Sequence, residues 1–362
     1  MITRVADHCF WLGRYLERTE SVARQLQVTG TIALDAEVEP ARVWRPIVIV
    51  AGQELDFAAR YGRDALGDGE VVQRYLTFDP ENPVSLSSSI LYARENARSV
   101  REVVSLEVWQ TINELYVWFE GEVRAKRAER SESPRDEEGA RLFEESRDTF
   151  YGRIRQATQL ALGLLRSTML HDTPLDFIWL GVVLERVSQT ARLLDVQHHT
   201  LLEDTAKHPV IETALWLSLL RACSGFEAFM KRNRGKVTGP GVAAFLLKEA
   251  QFPRSVLYST RYSRERLAAI VGAAPEAPGH RTLARLAALE QWITAVAPEE
   301  LEGARVHEVL TYVVGEIHAV CDGVGVELLG HAPVDAAPAS ALRARATPSA
   351  PVDAAPPQKQ SQ

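Results

Sequence analysis

A glutamate followed directly by an arginine occurs twice in strongly apolar, helix-forming surroundings: Glu17-Arg18 within FWLGRYLERTESVARQL, and Glu185-Arg186 within FIWLGVVLERVSQTARLL. A carboxylate can serve as a general base and a guanidinium fork can grip a carboxylate or phosphate, so each pair is a candidate for substrate chemistry. The same residue types can also do no more than neutralise one another, because an unpaired charge in an apolar interior is very costly.

On a helical wheel, Gly181, Glu185, Ser188 and Arg192 form the single polar strip of the second stretch, and Gly13, Glu17, Glu20 and Arg24 occupy that strip in the first. Arg18 and Arg186 lie beside the tryptophan edge instead. A glycine inside a helix costs about 1 kcal/mol relative to alanine. Its recurrence one turn before the glutamate therefore points to close approach of another backbone or to room for a bound group. Two readings stay open: the Glu and Arg of each copy pair across to the other copy, or the strips line a polar pocket that binds a small molecule or peptide end.

A further candidate is the helix SILYARENARSVREVVSLEVW, where Arg94, Arg98 and Arg101 fall within about 60° of one another at about 100° per residue. Ser105 continues the strip, and Glu95 and Glu102 lie beside it. Like charges on one face repel unless carboxylates or an anion separate them. The strip is thus either an anion- or partner-binding site or a face balanced by its own carboxylates.

These residues need helices to hold them, and the sequence supplies little else. Ala, Leu, Arg and Glu recur at helical spacing, with no sustained two-residue alternation. The fold class expected is all-α. Shifting the chain by about 168 residues superposes Trp11-Leu12-Gly13 on Trp179-Leu180-Gly181, and Leu16-Glu17-Arg18 on Leu184-Glu185-Arg186; SILYARENAR then falls on SVLYSTRYSR. The chain reads as an internally duplicated helical bundle with pseudo-two-fold halves at about 1–130 and 140–330. Breaks at Pro and Gly set helices near 2–30, 41–61, 69–78, 86–108 and 109–130, then 140–171, 175–200, 208–234, 240–250, 254–272, 281–297 and 303–329. The polar stretch Glu120 to Arg141 is expected to be an exposed join, and the Ala- and Pro-rich 331–362 a disordered tail.

Composition narrows the function. With 362 residues, 46% of them apolar, the chain can bury a sizeable core, and a net charge of -7 gives no electrostatic footprint for nucleic acid. Cys9, Cys223 and Cys321 are too few and too scattered for a disulfide framework or zinc site. No apolar segment approaches a membrane span, and no leader pattern opens the chain, so a cytoplasmic location without membrane partners is expected. No P-loop, dinucleotide fingerprint, nucleophile elbow or zincin motif is found, and no cofactor or metal is expected. Asp195 with His198 and His199, and Glu316 with His318, are weak metal-ligand patterns better explained as polar surface.

Taken together, RVADHCFWLGRYLERTESVAR, SILYARENARSVREVVSLEVWQTINELY and WLGVVLERVSQTARLLDV resemble the alpha-E family, bacterial all-helical proteins named for a Glu-Arg motif. The resemblance spans roughly 1–330. It carries the Glu-Arg signature onto Glu17-Arg18 and Glu185-Arg186, and an Ala-Arg-Glu-Asn-Ala-Arg signature onto Ala93 to Arg98. Such proteins are encoded beside a circularly permuted ATP-grasp ligase and a transglutaminase-like peptidase, which implies those partners and a peptide-synthesis or peptide-modification system. Three functions follow: an accessory or substrate-presenting partner of the ligase; an enzyme of the same system using Glu17 or Glu185 with the Arg94-Arg98-Arg101 strip; or a purely structural scaffold.

Overall fold

Short polar residues start several of these helices. Asp68 accepts from the backbone N–H groups of Glu70 and Val71, Ser85 from Ser88, Thr238 from Gly241 and Ser255 from Tyr258. The computed structural model describes residues 3–35, 39–132, 137–202, 209–234, 236–274, 276–303 and 305–333, the side chains of 35, 125–146 and 202 aside. Among them are fourteen α-helices and no strand: α1 (Thr3–Asp35), α2 (Pro40–Val50), α3 (Glu54–Tyr61), α4 (Gly69–Phe78), α5 (Leu86–Ser99), α6 (Leu106–Glu132) and α7 (Glu137–Thr168), then α8 (Thr173–Leu202), α9 (Pro209–Ala222), α10 (Phe226–Asn233), α11 (Gly239–Lys248), α12 (Val256–Val271), α13 (His280–Ala295) and α14 (Arg305–Leu328). The protein is all-α.

α1, about 50 Å long at 1.5 Å per residue, and α8 form the centre, and both are buried on nearly every side where they cross. Leu12, Leu16, Leu180, Val183 and Leu184 are almost wholly inaccessible. The helices cross where each is thinnest. A methyl at Gly13 would collide with the carbonyl of Ile178, and one at Gly181 with the carbonyl of Phe10, so glycine is required at both positions for the backbones to touch. The remaining helices attach to this cross in parallel fashion. α5 and α7 pack on α1 as α12 and α14 pack on α8; α2 lies against α8, and α9 against α1. Trp44 sits on Gly69 and Trp216 on Gly239 in matching positions.

Three expected helices differ. The stretch 41–61 is two helices broken at Gly52, with φ +73°, and 208–234 is two helices broken at Ser224, with φ +51°. A left-handed residue ends a helix by turning its next carbonyl away from the axis. The stretch 86–108 stops at Ser99, because Ser105 is needed to start α6, where its hydroxyl accepts from Val108 N–H.

α14 corrects another expectation: by length and composition it is the one helix among the described residues able to cross a membrane. Its Val306, Leu310, Val313, Ile317, Val320 and Val324 are buried in the larger core. The polar stretch from Glu120 falls on the end of α6 and the start of α7, and its side chains from 125 onward lie outside the described residues. So does 334–362, most of the expected tail; His331, at its start, meets the Asp7 carboxylate at 2.9 Å.

Candidate functional site

Just past the glycine contact, the faces of α1 and α8 that turn towards one another carry the glutamates. Glu17 and Glu185 are 0% and 2% exposed. Each accepts a two-pronged fork from the other helix's arginine. Arg186 donates Nε and Nη2 to Glu17 at 3.0 and 2.7 Å, and Arg18 donates Nε and Nη2 to Glu185 at 2.8 and 3.1 Å. Fork-to-carboxylate geometry gives the strongest charge-assisted hydrogen bonds, which is what two buried ions need to offset desolvation. Arginines that sit beside their own glutamates in sequence thus serve the opposite helix.

Around this shared lock the two sides diverge. On the Glu17 side, Arg254 reaches in from the loop before α12 and bridges Glu17 at 2.7 Å and Glu20 at 2.9 Å. Arg24 completes the cluster, 2.5 Å from Glu20, and donates to the carbonyl of Ala222 and the hydroxyl of Ser224. Burial pushes the Glu17 carboxyl up, but Arg186 and Arg254 outweigh it and hold it at about 2. Burial, with Arg254 beside it, brings Arg24 down to about 10.

On the Glu185 side, Arg14 joins Arg18, donating to Glu185 at 2.9 Å and to the Cys321 sulfur. Burial again raises the carboxyl, and Arg18 and Arg14 pull it well below the usual carboxylate range. Arg192 occupies the strip position of Arg24, and its contact with the carbonyl of Val50 matches Arg24 with Ala222. Where Arg24 has Glu20, however, Arg192 has Ser188, and no carboxylate among the described residues lies within ion-pair distance of it. Its other contact is His318, whose Nε2 accepts from Arg192 Nη2 at 2.7 Å. Burial first, then Arg192 and Arg14, lower the His318 pKa and favour the neutral imidazole this bond requires.

Arg14, Arg18, Arg192, Glu185 and His318 line a partly open cavity of about 100 Å³, with Val22, Leu26, Ile47, Leu76 and Val84 as apolar wall and Gln25 and Gln189 as neutral polar groups. A single water needs about 10–15 Å³ by this measure, so the cavity accommodates a small polar head with a few attached atoms. Both glutamates are poor bases near neutral pH, because a general base works best with a pKa near the operating pH.

The strip of Arg94, Arg98 and Arg101 is placed elsewhere. Arg101 lies beyond the end of α5, so the three do not share a helix face. Glu95 separates the other two, at 2.5 Å from Arg94 and 2.6 Å from Arg98, and Arg94 and Arg101 lie over the Trp109 ring. The repulsion that pointed to an anion is met by Glu95 and by aromatic faces. Glu316 pairs with Arg285 rather than joining His318, and Asp195 pairs with His307. No group of metal-ligating residues occurs among the described residues. Neither Arg14 nor Arg254 stood out as a site residue in the sequence, and His318 did so only beside Glu316 as a weak metal-ligand pattern. Arg254 had a legible signal: it falls opposite Val84 in the internal alignment, a charge facing a hydrophobe.

Residues 1–327 match the model of Alpha-E, described as a predicted alpha-helical domain with a conserved ER motif. The protein belongs to the Alpha-E family. The reciprocal lock described above is formed by this chain's own two Glu-Arg dipeptides. This Alpha-E chain is also similar to uncharacterised proteins of Mycobacterium bovis (strain ATCC BAA-935 / AF2122/97) and Mycobacterium tuberculosis (strains CDC 1551 / Oshkosh and ATCC 25618 / H37Rv), each 26% identical over 312 residues. The match takes in 83% of this chain but 33% of theirs, so the chain spans about a third of the length of the curated relatives it matches. No solved structure matches it.

Proposed function

We propose that this Alpha-E protein is an accessory partner of an ATP-grasp amide ligase in a bacterial peptide-synthesis or peptide-modification system, holding a small substrate for the ligase. The observation that carries the reading is the imbalance between the two sides of the α1/α8 lock. On one side Arg24, Arg186 and Arg254 each meet Glu17 or Glu20, with Arg155 also 3.9 Å from Glu20; on the other Arg14 and Arg18 share Glu185, while Arg192 meets no carboxylate among the described residues and lines a cavity. A fully self-neutralised scaffold does not need an arginine that faces a cavity without a carboxylate partner. The longer mycobacterial relatives are consistent with a domain that works joined to others, since about two thirds of each lies outside the match. The ligase and the transglutaminase-like peptidase as partners rest on the family resemblance.

The enzymatic reading is weaker, because Glu17 and Glu185 are locked as ionised pairs and Cys9 and Cys223 are buried thiols raised to about 12 and 11. The internal duplication is likewise a proposal. The parallel attachment of helices supports it, and α7 resting on α1 and α6, as α14 rests on α8 and α13, favours halves of 3–168 and 173–328 over a break near 130.

The test is affinity purification of the tagged protein from its host, followed by a binding assay with the neighbouring ligase. Association that weakens in a variant carrying Arg192→Met supports the reading. No association in either assay contradicts it.

A further inference from the structure

Glu20 and Ser188 hold the same place on the two crossed helices, four residues before the arginine that ends the strip and three after the glutamate of the motif. On α1 that place supplies a buried carboxylate to Arg24 at 2.5 Å; on α8 it supplies a short hydroxyl side chain, and the space towards Arg192 belongs to the cavity. The partners of the two positions differ in the same direction. Arg24 has Glu20, Ala222 and Ser224, whereas Arg192 has, among the described residues, the Val50 carbonyl at 3.4 Å and His318. Arg14 replaces the apolar Val182 of the matching position, adding a further cation on the cavity side.

From this we infer that the cavity is a carboxylate site, in which the terminal carboxylate of an amino acid or short peptide takes the place beside Arg192 and Arg18 that the Glu20 side chain fills on the other side. The assignment deepens the substrate-holding role proposed above and rests on it for the ligand's purpose, though not for its chemistry.

The walls agree with such a ligand. A planar carboxylate suits the guanidinium fork, and the amides of Gln25 and Gln189, 3.3 Å apart and both on the cavity, can exchange that mutual bond for bonds to a peptide group. Val22, Leu26, Ile47 and Val84 offer apolar surface to an attached carbon chain. Glu185, already engaged by Arg14 and Arg18, limits the net charge of the site and so disfavours a doubly charged phosphate relative to a single carboxylate. The volume of about 100 Å³ suits a carboxylate with a small substituent and is too small for a nucleotide.

Isothermal titration of the full chain with N-acetylglycine, its neutral analogue N-acetylglycinamide, and inorganic phosphate tests this. N-acetylglycine is expected to bind at least tenfold more tightly than either of the others. Ser188→Glu, which returns a carboxylate to the position, should abolish binding while circular dichroism and melting temperature show an intact fold. Ser188→Ala should retain it, and Arg192→Met should weaken it tenfold or more. If Ser188→Glu does not fold, Arg192→Met against Ser188→Ala decides the matter. Equal binding of the acid and the amide, tighter binding of phosphate, or no binding of any probe overturns the carboxylate assignment. Because these titrations use no ligase, their failure leaves ligase association standing, and loss of ligase association leaves the carboxylate site standing.

Discussion

Arg18 grips Glu185 on the facing helix with a two-pronged fork rather than turning to Glu17, its neighbour in sequence, and Arg186 grips Glu17 in return. The Glu-Arg dipeptide is therefore half of a clasp, and two copies are needed to close it. Removing one carboxylate should leave buried cations unmatched, which costs about 3–5 kcal/mol. Glu17→Gln is expected to lower stability by that amount in chemical denaturation. In a double-mutant cycle, Glu17→Met with Arg186→Met should recover at least about 1 kcal/mol of the summed losses, since the partners are coupled. Additive losses would mean that the two side chains do not depend on each other.

The clasp closes only because the backbones touch at the crossing. Gly13→Ala sets a methyl against the Ile178 carbonyl, and Gly181→Ala sets one against Phe10. Each should cost about 3 kcal/mol or more, the upper range for overpacking, despite the roughly 1 kcal/mol that alanine returns in helix propensity. Gly163→Ala is the control, because nothing lies within 4 Å of its added methyl. It should leave the melting temperature unchanged or raise it.

Acidification should act in two stages. His318 faces Arg192 and Glu185 of α8, Arg14 of α1 and Asp322 of its own helix; burial and the two arginines prevail, so its folded pKa lies below the ordinary 6.5. The unfolded chain then binds the imidazole proton more readily. Stability from this group is complete above about 6.5 and is lost as pH falls through the folded value. His198, lowered by burial, adds in the same sense. Glu17 acts later: its stabilisation holds above the ordinary 4.5 and is lost as pH falls towards about 2. His318→Gln should flatten the fall in stability between pH 7.5 and 5. An unchanged slope would show that His318 is not held neutral.

Arg98→Met should matter little. The side chain is 61% exposed and its partner Glu95 also serves Arg94, and exposed ion pairs contribute about 0–1 kcal/mol. Urea denaturation of the variant against wild type measures this. A loss above about 2 kcal/mol would give the strip a structural weight that its geometry does not show.

Much of the crossing was visible in the sequence. Gly13 and Gly181 are costly in helices, and their matching distance from Glu17 and Glu185 announces a close approach. The apolar circumference around Leu180 and Val183 announces central burial. What stayed hidden is long-range partnership. Arg254 is 237 residues from the Glu17 it holds, and His318 is 126 from Arg192, so neither is tied to its partner by any local spacing. The arginine strip misled for a local reason: the wheel assumed an unbroken helix from Arg94 to Ser105, whereas Ser105 opens the next helix. The excess charge at Arg192 needed both kinds of information. The Glu20-to-Ser188 difference lies in the sequence, but only the fold shows that a cavity opens beside it.

One side of the clasp is closed by its own carboxylates, and the role inferred for the other is to receive a carboxylate from a ligand. The most direct measurement is the arginine side-chain Nε–H spectrum of the isotopically labelled protein during titration with N-acetylglycine. The resonances of Arg18 and Arg192 are expected to move with saturation, while those of Arg186, Arg254 and Arg98 stay in place. Saturable shifts at Arg186 and Arg254, or at Arg98, with Arg192 unmoved would contradict it.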